Sequence, residues 1–330
     1  MTNNNKAVFV GAEQHGLYRL KDGTENWQYI HNGLPDNPSV QSLAVHPTEP
    51  NVIYVGTHNG PYRSQDTGDT WERLGFPGSG ISVWSFLFYP GDTNKMLLGT
   101  APAGVYKSED GGDNWKRTPM TPGPDTCDIG FDSRLIGLAV DPWEQQTIYA
   151  AVEVGGVRRS HDGGESWESI NKGLAPNEDT LDLHGVQSPP GQKDMVVIST
   201  RQGLFSSNDK GNNWDFIDIS DVSPIGYTRN LVLDPNDINT LYVSLGKAAR
   251  SHHGGLIRSK DLGQTWCRID DGIAATSTMM SLTINQQSPE NIYCATRDGQ
   301  VFGTETGGVK WHNFHLPEGV KEVRAIVCTQ

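Results

Sequence analysis

Ser64-Gln65-Asp66-Thr67-Gly68-Asp69-Thr70-Trp71 is the phrase that decides the fold, because the chain keeps returning to it. Close copies also end at Trp115, Trp167, Trp214 and Trp266, and decayed copies end at Trp27 and Trp311. Successive tryptophans of this set are 44, 44, 52, 47, 52 and 45 residues apart. A period of that size marks a chain assembled from one repeated supersecondary unit. Seven units account for nearly all of the 330 residues, which leaves no room for a second domain.

The second repeat reads most clearly. Residues 40–47 (VQSLAVHP) form a first, largely apolar strand, and residues 52–57 (VIYVGT) a second one rich in β-branched side chains. After a short connection, residues 61–64 make a third strand, the aspartate-containing phrase turns the chain back, and a fourth strand opens at Trp71. Four meandering strands per unit, seven times over, predict an all-β, seven-bladed β-propeller with four-stranded antiparallel blades. Six predicted blades span residues 40–75, 83–118, 134–171, 183–218, 228–270 and 279–315. The first blade is composite: residues 6–31 supply three strands but no inner one, while residues 322–329 hold an orphan first strand. That last strand is expected to pair beside the N-terminal three and close the ring, which removes the edges an open sheet must protect.

Each residue type in the phrase has a local task. Asp66 can accept hydrogen bonds from turn N–H groups, Ser64 adds a second local bond, Gly68 supplies a positive φ, and Trp71 fills the space toward a neighbouring blade. Asp110, Asp162, Asp209 and Asp261 take the same place in the other good copies. Leu20 replaces the serine in the first copy and Thr306 the aspartate in the seventh, so those turns are expected to be the least rigid. Carboxylates that recur once per blade are explained by turn chemistry, and we read them as structural rather than catalytic or calcium-binding.

The phrase S-x-D-x-G-x-T-W resembles the Asp-box, or BNR repeat, found in sialidases, xyloglucanases, sortilin-type receptors and photosystem II assembly factors. Five copies match well and two are degenerate, so the resemblance covers the whole chain. It implies the propeller fold and several activities. Sialidases are six-bladed and carry an R-I-P or R-L-P motif, which this chain lacks. Xyloglucanases of this type pair two propellers around a cleft and use carboxylates as acid and base, and only one propeller fits here. The assembly-factor branch, with seven blades in one domain, is the nearest in organisation.

Composition narrows the partners. Net charge is -13, from 39 acidic and 26 basic residues, which argues against nucleic acid. No apolar run approaches the roughly 18 residues of a membrane span. The start, Met1-Thr2-Asn3-Asn4-Asn5-Lys6, lacks an apolar signal region, so a cytoplasmic location is expected. Cys127, Cys267, Cys294 and Cys328 show no C-x-x-C spacing and read as free thiols. No cofactor is predicted, and the state is either a monomer or an oligomer of unknown size.

In a propeller, the second-to-third connections and the starts of the inner strands share one face, opposite the aspartate turns, and ligands enter where these loops converge. Arg134, Arg201, Arg229, Arg297 and Arg324 fall there, with Tyr227 and with Trp84 as an aromatic wall. Arginine forks match carboxylates and phosphates, so the set suggests an anion site. The alternative is that each arginine pairs with a nearby acid such as Glu153, Asp182, Asp298 or Glu322. Glu13, Glu153, Asp182 and Asp298, with His184, are the candidates for acid–base catalysis. His15, His58, His184 and His252 are an alternative set of metal ligands drawn from separate blades. The connection at 246–255 is expanded and basic, and the loops at 119–133 and 171–183 are long.

Three functions follow. The first is a binding propeller that captures a small anionic molecule or an acidic segment of a partner protein. The second is a hydrolase or lyase, glycosidase-like, working at the same mouth. The third is a protein-interaction scaffold whose axial channel is filled by side chains.

Overall fold

The computed structural model describes residues 6–120 and 132–329; Cys127 and most of the loop at 119–133 lie outside the described residues. Seven four-stranded sheets make up the fold, each antiparallel throughout. Their innermost strands touch one another in sequence around a closed ring. They are Val40–Val45, Ser82–Tyr89, Leu135–Val140, Leu183–Gln187, Tyr227–Leu233, Met279–Ile284 and Val323–Cys328. We number the blades 2, 3, 4, 5, 6, 7 and 1 in that order.

Closure takes the expected form. Val323–Cys328 pairs antiparallel with Ala7–Ala12, which continues through Gly16–Lys21 to Gln28–Ile30. Beyond the last ladder pair, Thr329 and Ala7 exchange main-chain and hydroxyl hydrogen bonds of 2.8 and 2.9 Å. The first blade therefore joins the two ends of the chain.

The strands form where the sequence offers β-branched and aromatic side chains to two faces at once. Second strands such as Ile53–Thr57 and Ile148–Val152 are buried along their whole length, because a neighbouring blade covers each face. Outermost strands such as Glu72–Arg73 are two exposed residues long, too short to offer an edge for pairing. Seven separate hydrophobic cores lie between successive blades, and each holds or abuts one tryptophan of the repeat. Trp71 packs with Phe9 and Leu17 of blade 1, for example, and Trp214 with Tyr149 and Val157 of blade 4.

The phrase builds the same turn five times. Ser64 Oγ accepts from the N–H of Gly68 (2.8 Å), and Asp66 accepts from the N–H and hydroxyl of Thr70 (2.8 and 2.6 Å). Asp110, Asp162, Asp209 and Asp261 repeat these contacts. Gly68 has φ +82°, and a Cβ there would stand 2.6 Å from the Phe9 ring. Each such turn thus sits down on the blade before it. Cations on the third strand of that blade hold it there: Arg19 donates to the Thr67 carbonyl (2.5 Å), Arg63 to Gly111 (3.2 Å) and Arg159 to Lys210 (2.6 Å). In the seventh copy Thr306 keeps one contact, accepting from the Lys310 N–H at 2.9 Å.

Candidate functional site

Every blade has an irregularity at the same place, and blade 3 has a second one at Phe88/Tyr89. Near the start of each inner strand the pairing with the second strand slips, leaving a bulge. The bulged residues are Arg324, Gln41, Trp84, Ile136, His184, Arg229 and Met280 in blades 1 to 7, Asn230 sharing the bulge of blade 6. All seven line an axial cavity of about 430 Å³. A bulge re-aims one side chain out of the alternating pattern, and here it furnishes the channel mouth with one residue per blade. The collar is asymmetric. Arg229 and Arg324 stand on blades 6 and 1, with Trp84 and Ile136 opposite on blades 3 and 4.

Charge at the mouth is largely compensated. Arg134 pairs with Glu153 at 2.9 Å and lies over the Trp84 ring at 4.6 Å. Arg324 pairs with Glu13 and lies 5.9 Å from the same ring. Arg297 reaches Glu322 at 2.5 Å and the Ala249 carbonyl at 2.8 Å. Arg201 stands out on the rim, held by Glu178 (2.5 Å) and Asp179 (2.9 Å) of the helical turn Glu178–Leu181 inside the long 171–183 loop. Arg229 differs: among the described residues no carboxylate lies within 4 Å of its guanidinium. Burial alone would lower its pKa, but the fields of Tyr227, Glu153 and Asp182 hold it raised. Burial also lowers the pKa of Arg324; Glu13 opposes this, while the positive charges of Arg229 and Arg297 push the same way as burial. Three guanidiniums therefore share one local field.

Beside Arg229 lies a buried polar group of three. His184 Nδ1 is 2.6 Å from the Thr228 carbonyl, to which it donates. The Tyr227 hydroxyl points at Nε2 from 3.3 Å, and Asp182 Oδ2 stands 3.5 Å from it. Burial raises the Tyr227 phenol, against the nearby charge of Arg229. Asp182 Oδ1, Gln41 Oε1 and Trp84 Nε1 are buried without a hydrogen-bond partner among the described residues. Unsatisfied buried polar atoms are uncommon, and two of these belong to the collar.

Asp298 is exposed, engaging Ser277 through its backbone N–H only. His58 Nδ1 accepts from the Ser39 N–H at 3.2 Å, and His252 is exposed. No three His, Cys, Asp or Glu side chains come together among the described residues as a cation site would require, so the histidine set His15, His58, His184 and His252 does not converge. Gln41, Ile136 and Met280 belong to the collar and were not singled out from the sequence. Their only signal is their alignment with Trp84, His184, Arg229 and Arg324 at the second residue or so of each inner strand.

No family model matches the chain. Xyloglucanase Xgh74A of Acetivibrio thermocellus is 27% identical over 277 residues, which are 77% of this chain and 28% of the enzyme. This chain thus spans under a third of that relative's length. Among solved structures, the GH74 enzyme of Niastella koreensis superposes with a TM-score of 0.66 at 18% identity, covering 83% of this chain and 45% of that one. YCF48 bound to D1 peptide gives 0.60 at 13% identity, covering 95% and 86%. At these identities the structural likeness speaks for the propeller fold.

Proposed function

We propose that this protein is a binding propeller whose channel mouth takes an anionic group, carried by a small molecule or by an acidic segment of a partner protein. The observation that carries the reading is Arg229: it lies deep in the ring without a carboxylate within 4 Å, while the other arginines of the mouth each have one. A guanidinium with no carboxylate in direct contact, in a confined site, is a strong attractor for a carboxylate or phosphate. The unpartnered Gln41 Oε1 and Trp84 Nε1 offer an acceptor and a donor beside it. A cavity of about 430 Å³ favours a ligand site over a scaffold with a filled axis. YCF48, of similar fold, has been solved with a peptide bound.

Calorimetric titration with citrate and with a capped Asp-Glu-Asp peptide tests this. Arg229→Glu should weaken binding by about 2 kcal/mol or more, roughly thirtyfold, since a charge-assisted hydrogen bond is lost and repulsion added. Arg201→Glu, on the rim and already paired, should change it far less. Equal affinity of wild type and Arg229→Glu would dispose of the reading.

The second reading, a glycosidase-like hydrolase or lyase at the same mouth, is favoured by the kinship with xyloglucanases. Its best acid–base candidate is Asp182, since Glu13 and Glu153 are neutralised by Arg324 and Arg134. Reducing-end release from xyloglucan, abolished in Asp182→Asn, is the outcome that would favour it.

A further inference from the structure

The junction between blades 7 and 1 lacks the third-strand arginine that holds four of the others, and what replaces it has a shape. Between blades 2 and 3, Tyr54 and Arg63 face each other across the ladder. Both donate to the Gly111 carbonyl of the next blade's turn, at 2.8 and 3.2 Å, and Arg63 also pairs with Asp113 (2.8 Å) and Glu72 (2.7 Å). In blade 7 the same register places Tyr293 opposite Gly303. The arginine is gone, and a Cβ on Gly303 would lie 2.7 Å from the Tyr293 ring and 2.8 Å from that of Phe314. The two rings have settled onto the glycine.

The turn that should seat here is the decayed first copy. At the place of the phrase's glycine it carries Thr24, which is exposed, whereas the glycines at 68, 112, 164, 211, 263 and 308 all face a neighbouring blade. With the arginine lost on one side and the turn unseated on the other, a cavity of about 420 Å³ remains. Tyr293 and Phe314 line it, with Asp22, Glu25, Glu305 and Asn291 around them. Glu25 and Glu305 are exposed and have no ion pair among the described residues. Lys6 and Lys21 also line the cavity, but Lys21 leans toward Asp69 of blade 2, at 3.9 Å. Burial, and then the negative charges nearby including Glu305 and Asp22, push the Tyr293 phenol up to about 12.

We propose that this seam pocket is a vacated arginine socket that takes an alkylguanidinium from outside the ring, the side chain of an arginine on a basic peptide segment. Three features match that ligand. Aromatic faces stack on a guanidinium plane. Glu25 and Glu305 offer the carboxylates that Asp113 and Glu72 offer Arg63 at an occupied junction. The ring already uses Arg19, Arg63, Arg159 and Arg258 for this purpose at four other junctions. The site is separate from the channel mouth and its ligand has the opposite charge.

Titration of the full chain with N-acetyl-arginine methylamide, and with its citrulline counterpart of equal shape but no charge, tests the proposal by amide chemical shifts. The arginine compound should move resonances of Tyr293, Phe314 and Glu305, and the citrulline compound should bind roughly tenfold more weakly or not at all. Gly303→Arg should fill the socket from within and abolish binding. Because that variant has to displace two rings, the double substitution Glu25→Gln with Glu305→Gln serves beside it: it should weaken binding roughly fivefold without shifting Tm. Arg229→Glu, at the channel, should leave this binding unchanged. Comparison of free arginine with an Arg-containing peptide separates a metabolite from a protein partner, and preference for the peptide is expected. Equal binding of arginine and citrulline compounds, no binding of either, or indifference to the double substitution would overturn the proposal.

Discussion

At the scale of single residues, the repeated aspartates show how one side chain can hold a turn. Burial alone would raise the Asp162 carboxyl, but hydrogen bonds from the Ser166 hydroxyl and N–H and from Ser160 outweigh it and bring the pKa down to about 2. Asp66, Asp110, Asp209 and Asp261 are lowered in the same sense. The folded value lies below the unfolded one of about 4. The stabilisation is therefore complete above the unfolded value and is lost as pH falls through the folded one. Asp162→Asn should cost about 1–2 kcal/mol at neutral pH, and its Tm deficit relative to wild type should shrink as pH drops from 5 toward 2. A deficit that stays constant over that range would assign the effect to shape rather than charge. The arginines teach a different lesson. Arg134, Arg297 and Arg324 were legible as residues of one face, and Glu153 and Glu322 as acids that could pair with them, but which acid meets which arginine, and the part of Glu13, were not, because those acids come from other segments that only folding brings near. Arg229 stands apart for the same reason: a missing partner has no mark in the sequence.

At the scale of strands and turns, two glycines of these turns separate two effects that sequence merges. Gly68 combines a positive φ with a close approach to Phe9, whereas Gly23, one repeat position earlier in the decayed first copy, has a positive φ and open space. Gly23→Ala should cost only the backbone strain, about 1 kcal/mol. Gly68→Ala adds a clash with a buried ring and should cost about 3 kcal/mol. Chemical denaturation of the two variants checks the ordering, and equal losses would mean that the good turns do not bear on the preceding blade. Turns and strands were readable because their signals are local: alternation, glycine and aspartate at fixed offsets. The bulges were not, since a bulge belongs to the pairing of two strands. Val40-Gln41-Ser42 reads as plain strand, and nothing in it says that Gln41 leaves the ladder while Val40 and Ser42 stay. The collar was therefore half visible, through the residues whose chemistry attracted notice, and its apolar members passed as core.

At the scale of the whole molecule, the fold is a cycle of junctions and its integrity rests on the one that joins the chain's two ends. Val323–Cys328 supplies the inner strand of blade 1, covers the edge of Ala7–Ala12, and carries Arg324 into the channel mouth. Blade 1 also sits at a seam where the third-strand arginine is missing, so the junction there has less help from side chains than the four held by Arg19, Arg63, Arg159 and Arg258. A chain truncated after Glu322 should lose its cooperative thermal transition near ambient temperature and associate through the uncovered edge, as exposed strands do. Calorimetry and size-exclusion chromatography would report both. Loss of these eight residues alone does not isolate closure from the loss of core side chains such as Val323 and Ile326. A circular permutant does: joining residue 329 to residue 6 by a short linker and opening the chain in the connection at 76–81 keeps every strand but moves the seam to blades 2 and 3. If closure is what counts, the permutant should fold to a monomer with one transition and keep its affinity at Arg229, while the same permutant lacking residues 323–328 should not. A truncated chain that stays monomeric with an unchanged Tm would show instead that six blades suffice and that the last strand is an ornament of the first blade.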